Sequence, residues 1–172
     1  MFYFMMFYLC AAFGLVAETA FSLVTTRKFN DRRTMILSPL CPVYGLGGLA
    51  IYLIYRSFGV FPAIILGTLF AVVIEYIYGM ICVRAFHIIL WDYSNCRYHK
   101  NGQICLEFFI VWYALVAVFV LYLIEPTQYI AMNFPISLSS LLLIVFVIDV
   151  VFTIRNIRNS KINLYCSVIK YC

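Results

Sequence analysis

Four carboxylates fall inside, or at the edge of, long apolar stretches: Glu18, Glu75, Glu107 and Asp149. An acidic side chain at the centre of a membrane helix costs about 2.5–3.5 kcal/mol on insertion scales, so an intramembrane acid is a functional candidate by default. Grouped inward, such acids can pair with Arg33 or Arg84, share protons, or line an aqueous vestibule. In a desolvated site two carboxylates can also divide the work of general acid and base. Glu18 and Glu75 lie deepest and are the stronger candidates. Glu107 and Asp149 are placed nearer the headgroups, where a side chain can reach polar surroundings by snorkelling.

The elements that must carry these acids are apolar runs at roughly 3–25, 40–56, 61–83, 104–124 and 136–154. Each is close to the ~20 residues that cross a ~30 Å hydrocarbon core. The pattern predicts an all-α integral membrane protein, a bundle of about five transmembrane helices. It forms a single polytopic domain over residues 1–155, followed by a short basic cytoplasmic tail at 156–172. Eleven of the twelve lysines and arginines then fall on one side, Arg56 being the exception. That asymmetry predicts the N-terminus outside and the C-terminus inside. Glu18 lies about nine residues from the cytoplasmic end of its run and Asp149 six before Arg155. At ~1.5 Å per residue all four acids fall in the cytoplasmic half of the bilayer.

Composition agrees with this class. Of 172 residues 66% are hydrophobic and 11% charged, with a mean hydropathy of +1.01. A soluble domain carries nearer ~25% charged residues, so a water-soluble fold is excluded. The net charge of +5 is no nucleic-acid footprint, because its cations border apolar spans. The first residues, Met1-Phe2-Tyr3-Phe4, lack the positive region of a cleavable signal. Seven cysteines without zinc-type spacing predict free thiols in a reducing compartment.

Several local signals accompany the acids. Ser38-Pro39-Leu40-Cys41-Pro42-Val43-Tyr44-Gly45-Leu46-Gly47-Gly48 predicts an irregular start to the second helix, buried by neighbours or lining a wet cavity. The alternative is a proline-punctuated cap with small residues for close packing. His87 opens an apolar and aromatic run to Ser94 that suits the membrane interface, with Trp91 and Tyr93 as anchors. Asn101-Gly102 predicts a turn. The segment 125–135 is polar, carries no base, and reads as an outer loop. No P-loop, zincin, nucleophile-elbow or paired C-x-x-C motif is present. No cofactor and no metal site is expected.

A family resemblance rests on Phe13-Gly14 and Glu18, Arg33, and the block from Pro39 to Gly47. It continues with Glu75-Tyr76, Trp91-Asp92-Tyr93-Ser94 and Asn101-Gly102-Gln103-Ile104-Cys105-Leu106. In this order they resemble the bacterial ABC transporter permease family called ABC-transporter type IV, from about Phe13 to Trp112. The chain departs from the family pattern at Leu37-Ser38, where Asn-Gly is usual, at Gln103, where a base is usual, and near Val83, where an acid is usual. The resemblance implies a transport subunit of the bacterial cytoplasmic membrane, acting as a homo-oligomer or with a separate cytoplasmic ATPase.

The candidate substrate-binding set is Glu18, Arg33, Cys41, Tyr44, Glu75, Tyr76, Trp91, Asp92, Tyr93 and Asn101. Two readings compete for it. In the first, the acids line a transport path and the cytoplasmic connections dock the ATPase. In the second, the protein is a membrane enzyme acting on a lipid or prenyl substrate from the cytosolic leaflet, with Arg33 holding a phosphate. A third treats the polar residues as a packing network alone.

Overall fold

The computed structural model describes residues 1–26, 40–87 and 89–158, with the backbone of 169–170. In chain order the helices are α1 (Phe2–Thr26), α2 (Pro42–Phe58), α3 (Val60–Phe86), α4 (Leu106–Val118), α5 (Ile124–Asn133) and α6 (Ile136–Arg158). A π turn, Phe119–Leu123, joins α4 to α5, so that Leu106–Asn133 forms one long helix. Helices are what these runs must form in lipid, because every backbone N–H and C=O then finds its partner within the segment. Four of them are long and apolar enough to cross a membrane: α1, α3, α4 with α5, and α6. Their outward faces are apolar, with Phe61, Ile65, Ile110 and Val151 among the exposed side chains. This is a multi-pass membrane protein.

At 17 residues α2 is the shortest of the predicted spans, and its flanks explain why. Cys41 is extended (φ −111°, ψ 106°), and Pro42 occupies the first turn, where its missing N–H costs nothing. Ser38, Pro39 and the basic residues Arg27, Lys28, Arg32 and Arg33 lie outside the described residues. Within those described, the helix runs without interruption through Gly45, Gly47 and Gly48, so the expected irregular start gives way to a proline-capped helix with small residues for packing. At its far end Gly59, at φ +83°, reverses the chain directly into α3 while donating its N–H to the Tyr55 carbonyl at 2.9 Å.

The glycines of α2 let it pack against α1 at short range. A Cβ on Gly45 would meet the Phe7 ring at 2.6 Å and the Phe7 carbonyl oxygen at 2.8 Å, and one on Gly14 of α1 would strike the Tyr44 ring. Met5, Met6 and Cys10 of α1, Ile51 and Tyr52 of α2, Ala63 and Ile64 of α3, and Val116, Phe119 and Val120 close the main core. By contrast, α6 leans on α1 through Phe146, whose ring lies 6.0 Å from Phe4 and 5.3 Å from Phe7.

Two expectations need correction. The polar segment 125–135 is not a loop: α5 continues the helix to Asn133, and the chain turns only at Phe134 and Pro135. Pro126 lacks the N–H that a regular helix would use, and the π turn just before it absorbs the mismatch. Glu125 accepts a 3.0 Å hydrogen bond from Tyr55, tying this end to α2. The other correction concerns the aromatic run. Leu90, Trp91, Tyr93, Cys96 and Cys105 form a small core of their own, with Trp91 5% and Tyr93 3% exposed. They face protein rather than headgroups because the connection folds back on α3 and α4.

That connection is held by short strands, β1 (Trp91–Asp92), β2 (His99–Lys100) and β3 (Ile104–Cys105), and β1 pairs in parallel with β4 (Ile169–Lys170). Asn101 and Gly102, at φ 54° and 67°, make the expected turn between β2 and β3. Cys10 and Cys105 are free thiols, but Cys96 is disulfide-bonded, against the expectation of free thiols throughout. The pairing of β1 with β4 brings Ile169 beside Trp91 of the Cys96 core. The packing of α1 on α2 makes a prediction: Gly45→Ala should lower the stability of the purified protein by about 1–3 kcal/mol, as overpacking against a carbonyl does. Thermal unfolding in detergent, with Ala50→Gly as a comparison on the same helix, measures it.

Candidate functional site

A cavity of about 120 Å³ opens between α1, α2, α3 and α4. Tyr93 and Phe108 mark its end at the 87–105 connection, and Cys10, Ile51 and Phe119 its deep end. Most of the lining is apolar or aromatic; Glu18 and Glu75 are its acids. No lysine, arginine or histidine lines it among the described residues.

Each acid is met by a donor from another element. The Tyr44 hydroxyl of α2 donates to Glu18 Oε2 of α1 at 2.6 Å. Glu75 of α3, 6% exposed, accepts twice: from Trp112 Nε1 of α4 at 2.7 Å and from the Tyr93 hydroxyl at 3.2 Å. The Tyr44 and Trp112 rings lie 5.7 Å apart, which links the two carboxylates through a pair of aromatic donors. Tyr93 itself is fixed by the Phe108 ring at 4.6 Å and by its backbone N–H to the Gly102 carbonyl at 2.9 Å. A carboxylate in a low-dielectric interior is tolerable only when hydrogen-bonded or matched by charge, and this arrangement supplies the hydrogen bonds.

Of the ten candidates, Glu18, Tyr44, Glu75 and Tyr93 line this one cavity. Arg33 lies outside the described residues. The other five sit elsewhere. Cys41 is buried at the start of α2. Trp91 donates to the Gln103 carbonyl at 2.9 Å and stacks on Tyr78. Asp92 accepts from the Ser94 N–H at 2.9 Å, a local turn bond. Asn101 donates to the Tyr76 hydroxyl at 2.8 Å, and Lys100 lies 5.5 Å from the Tyr76 ring centre, on a different face of α3 from Glu75.

The other two acids do not join the site. Glu107 is exposed in the first turn of α4, and Asp149, fully buried on α6, accepts from Thr153 at 3.2 Å. Arg84 is exposed and lines nothing here. Sequence reasoning missed Trp112, whose indole N–H donates to Glu75 at 2.7 Å. Its six-residue distance from the start of α4, level with an acid on α3, was the available signal.

One group has the makings of a metal site: Cys96, Cys105 and Glu107, with ligand atoms within 4.8 Å of one another. Yet the Cys96 sulfur is already in a disulfide, and burial raises the Cys105 thiol above its ordinary range, away from the thiolate that binds metals. The trio does not fit an ion. The Glu75 contacts predict that Trp112→Phe, which keeps the ring volume near and removes the donor, costs about 1–3 kcal/mol of stability. Tyr113→Phe, at an exposed neighbour, should cost little; unfolding midpoints of the two variants compare them.

No curated protein and no solved structure matches the chain. Over residues 5–154, nearly its whole length, it matches the family described as "Putative ABC-transporter type IV", with the acids, the tyrosines and Trp112 of the cavity all inside the match. The chain belongs to that ABC-transporter type IV family.

Proposed function

We propose that the protein is a transport subunit of the bacterial cytoplasmic membrane whose substrate occupies the cavity between Glu18 and Glu75. The observation that carries this reading is the meeting of two intramembrane acids, from α1 and α3, on a single cavity. The scatter of Cys41, Asp92 and Asn101 away from that cavity supports binding or transport over acid–base chemistry on a lipid. In this reading α2 completes a fifth span beside the four longer helices, and the protein acts with a separate cytoplasmic ATPase or as a homo-oligomer. The folded 87–105 connection, with Trp91 and Tyr93 buried in its own small core, is the surface suited to docking the ATPase.

Crosslinking in native membranes, followed by purification, should recover a nucleotide-binding subunit. Its ATP-driven uptake in liposomes should fall about ten- to hundredfold in Glu75→Gln, the loss expected for a charge-assisted hydrogen bond. Recovery of no ATPase, with turnover of a lipid instead, would reject the transport reading. Orientation is tested separately, in a background freed of native cysteines. With the N-terminus outside, Ser94→Cys should react with an impermeant maleimide only from the cytoplasmic side and Phe58→Cys only from outside. One observation favours the reverse orientation, the disulfide at Cys96, since such bonds are rare on the cytoplasmic side. The opposite labelling pattern would establish it.

A further inference from the structure

We propose that the outer face of α3 and the hairpin of β2 and β3 hold the phosphate of an anionic phospholipid, with Lys100, Arg84 and the Tyr76 hydroxyl as its donors. The proposal needs nothing from the cavity, which Glu75 joins from a different face of α3. Depth comes first. At 27 residues α3 is about 40 Å long, about 10 Å more than a hydrocarbon core. Its first end is set by the Gly59 turn and by Arg56 in the last turn of α2, whose charge belongs among headgroups. About 20 residues on, Met80 reaches the other boundary, and Arg84, exposed one turn later, stands at headgroup level. The hairpin comes to the same level: Asn101 Nδ2 lies 2.8 Å from the Tyr76 hydroxyl and 4.0 Å from Met80 Sδ.

Charge and hydrogen bonding then call for an anion. Among the described residues, Arg84, Arg97 and Lys100 form no ion pair. The acids of this region are turned to other partners. Asp92 accepts from the Ser94 N–H, and the Glu107 carboxylate lies within 4.8 Å of the Cys96 and Cys105 sulfurs. Lys100 is held with its Nζ 5.5 Å from the Tyr76 ring centre, on a hairpin tip fixed by the left-handed Asn101 and Gly102. The Tyr76 oxygen accepts from Asn101, which leaves its own O–H proton to donate. Arg97, 5.4 Å from the Tyr98 ring, adds to the positive potential of the hairpin.

Apolar surface decides between a lipid and a soluble anion. Tyr76, Met80 and Arg84 recur every four residues and so share one row of α3. Beside it runs a second row, Leu69, Val73, Ile77 and Ile81, each 48–52% exposed. An acyl chain laid along that row starts near mid-bilayer and brings its phosphate up to Arg84 and Lys100. A soluble phosphate would meet the same cations and leave the row uncovered. Basic groups at such a boundary are where anionic headgroups bind.

Native mass spectrometry of the full-length protein tests this. Detergent micelles carry equal amounts of phosphatidylglycerol and phosphatidylcholine with identical acyl chains, and the lipids retained are counted. Phosphatidylglycerol should be retained about tenfold over phosphatidylcholine. Lys100→Gln and Arg84→Gln should each cut that preference about fivefold, the equivalent of about 1 kcal/mol per cation at an anionic surface. Lys100→Arg should keep it, and Arg56→Gln, at the other boundary, should change it little. On the wild-type protein, inorganic phosphate or the chain-free headgroup glycerophosphoglycerol should displace none of the lipid, a result that stands should a variant fail to fold. Equal retention of the two lipids would overturn the proposal, as would displacement by either soluble anion. So would a loss in Arg56→Gln as large as that in Lys100→Gln, which would reduce the effect to general attraction. Loss of a co-purifying nucleotide-binding subunit in Lys100→Gln, with lipid retention unchanged, gives the hairpin to that protein: it sinks the lipid site and leaves the transport reading standing.

Discussion

A buried carboxylate flanked by two neutral donors is the interaction on which the rest of this architecture turns. Glu75 sits in the apolar middle of α3 and receives Trp112 Nε1 and the Tyr93 hydroxyl. Those donors come from α4 and from the connection before it, so these two bonds form only when both are folded onto α3. Trp91, Asp92, Asn101 and Gln103 then acquire a common purpose. The bond from Trp91 to the Gln103 carbonyl, the Asp92 turn and the left-handed pair Asn101 and Gly102 give the connection the shape that points Tyr93 inward.

The second acid depends on backbone proximity rather than on a loop. Glu18 meets Tyr44 because α1 and α2 approach each other where Gly14, Gly45 and Gly48 leave no side chain in the way. Small residues that let helices come close are a general device of packing in lipid, where no hydrophobic drive pulls helices together. Here the device also sets chemistry: the Tyr44 hydroxyl that reaches Glu18 belongs to the same ring that lies against Gly14 and faces Trp112 at 5.7 Å. Packing and site are the same set of contacts seen from two sides.

Hydropathy made the four longer spans readable from residues alone, and it singled out Glu18 and Glu75, which line one cavity, because the cost of an acid in lipid is large and one-dimensional. Other features were hidden for stated reasons. Residues 125–135 look like a loop by polarity, yet a π turn lets a helix carry Pro126 onward, and no composition signal marks such a turn. Trp91 and Tyr93 look like interfacial anchors, because in a membrane chain that is what most tryptophans and tyrosines are. Their inward orientation follows from which acid lies opposite, a tertiary fact. Asp149 and Glu107 share a predicted depth with the other acids, but depth says nothing about what a helix face meets: Glu107 is exposed, and Asp149 is buried on α6 outside the lining of this cavity.

The π turn also bears on how the cavity could change size. Phe119 lines its deep end, and the Phe119 carbonyl is bonded to the N–H of Ile124, five residues on, where an ordinary helix would use the fourth. A backbone with one surplus residue in a turn has a neighbouring register within reach by swapping single hydrogen bonds, with no melting of the helix. The floor of the chamber is thus where its wall departs from regular helical hydrogen bonding. A guest slightly too long for the space would be accommodated by that slip at Phe119, not by prising apart the glycine-lined seam of α1 and α2.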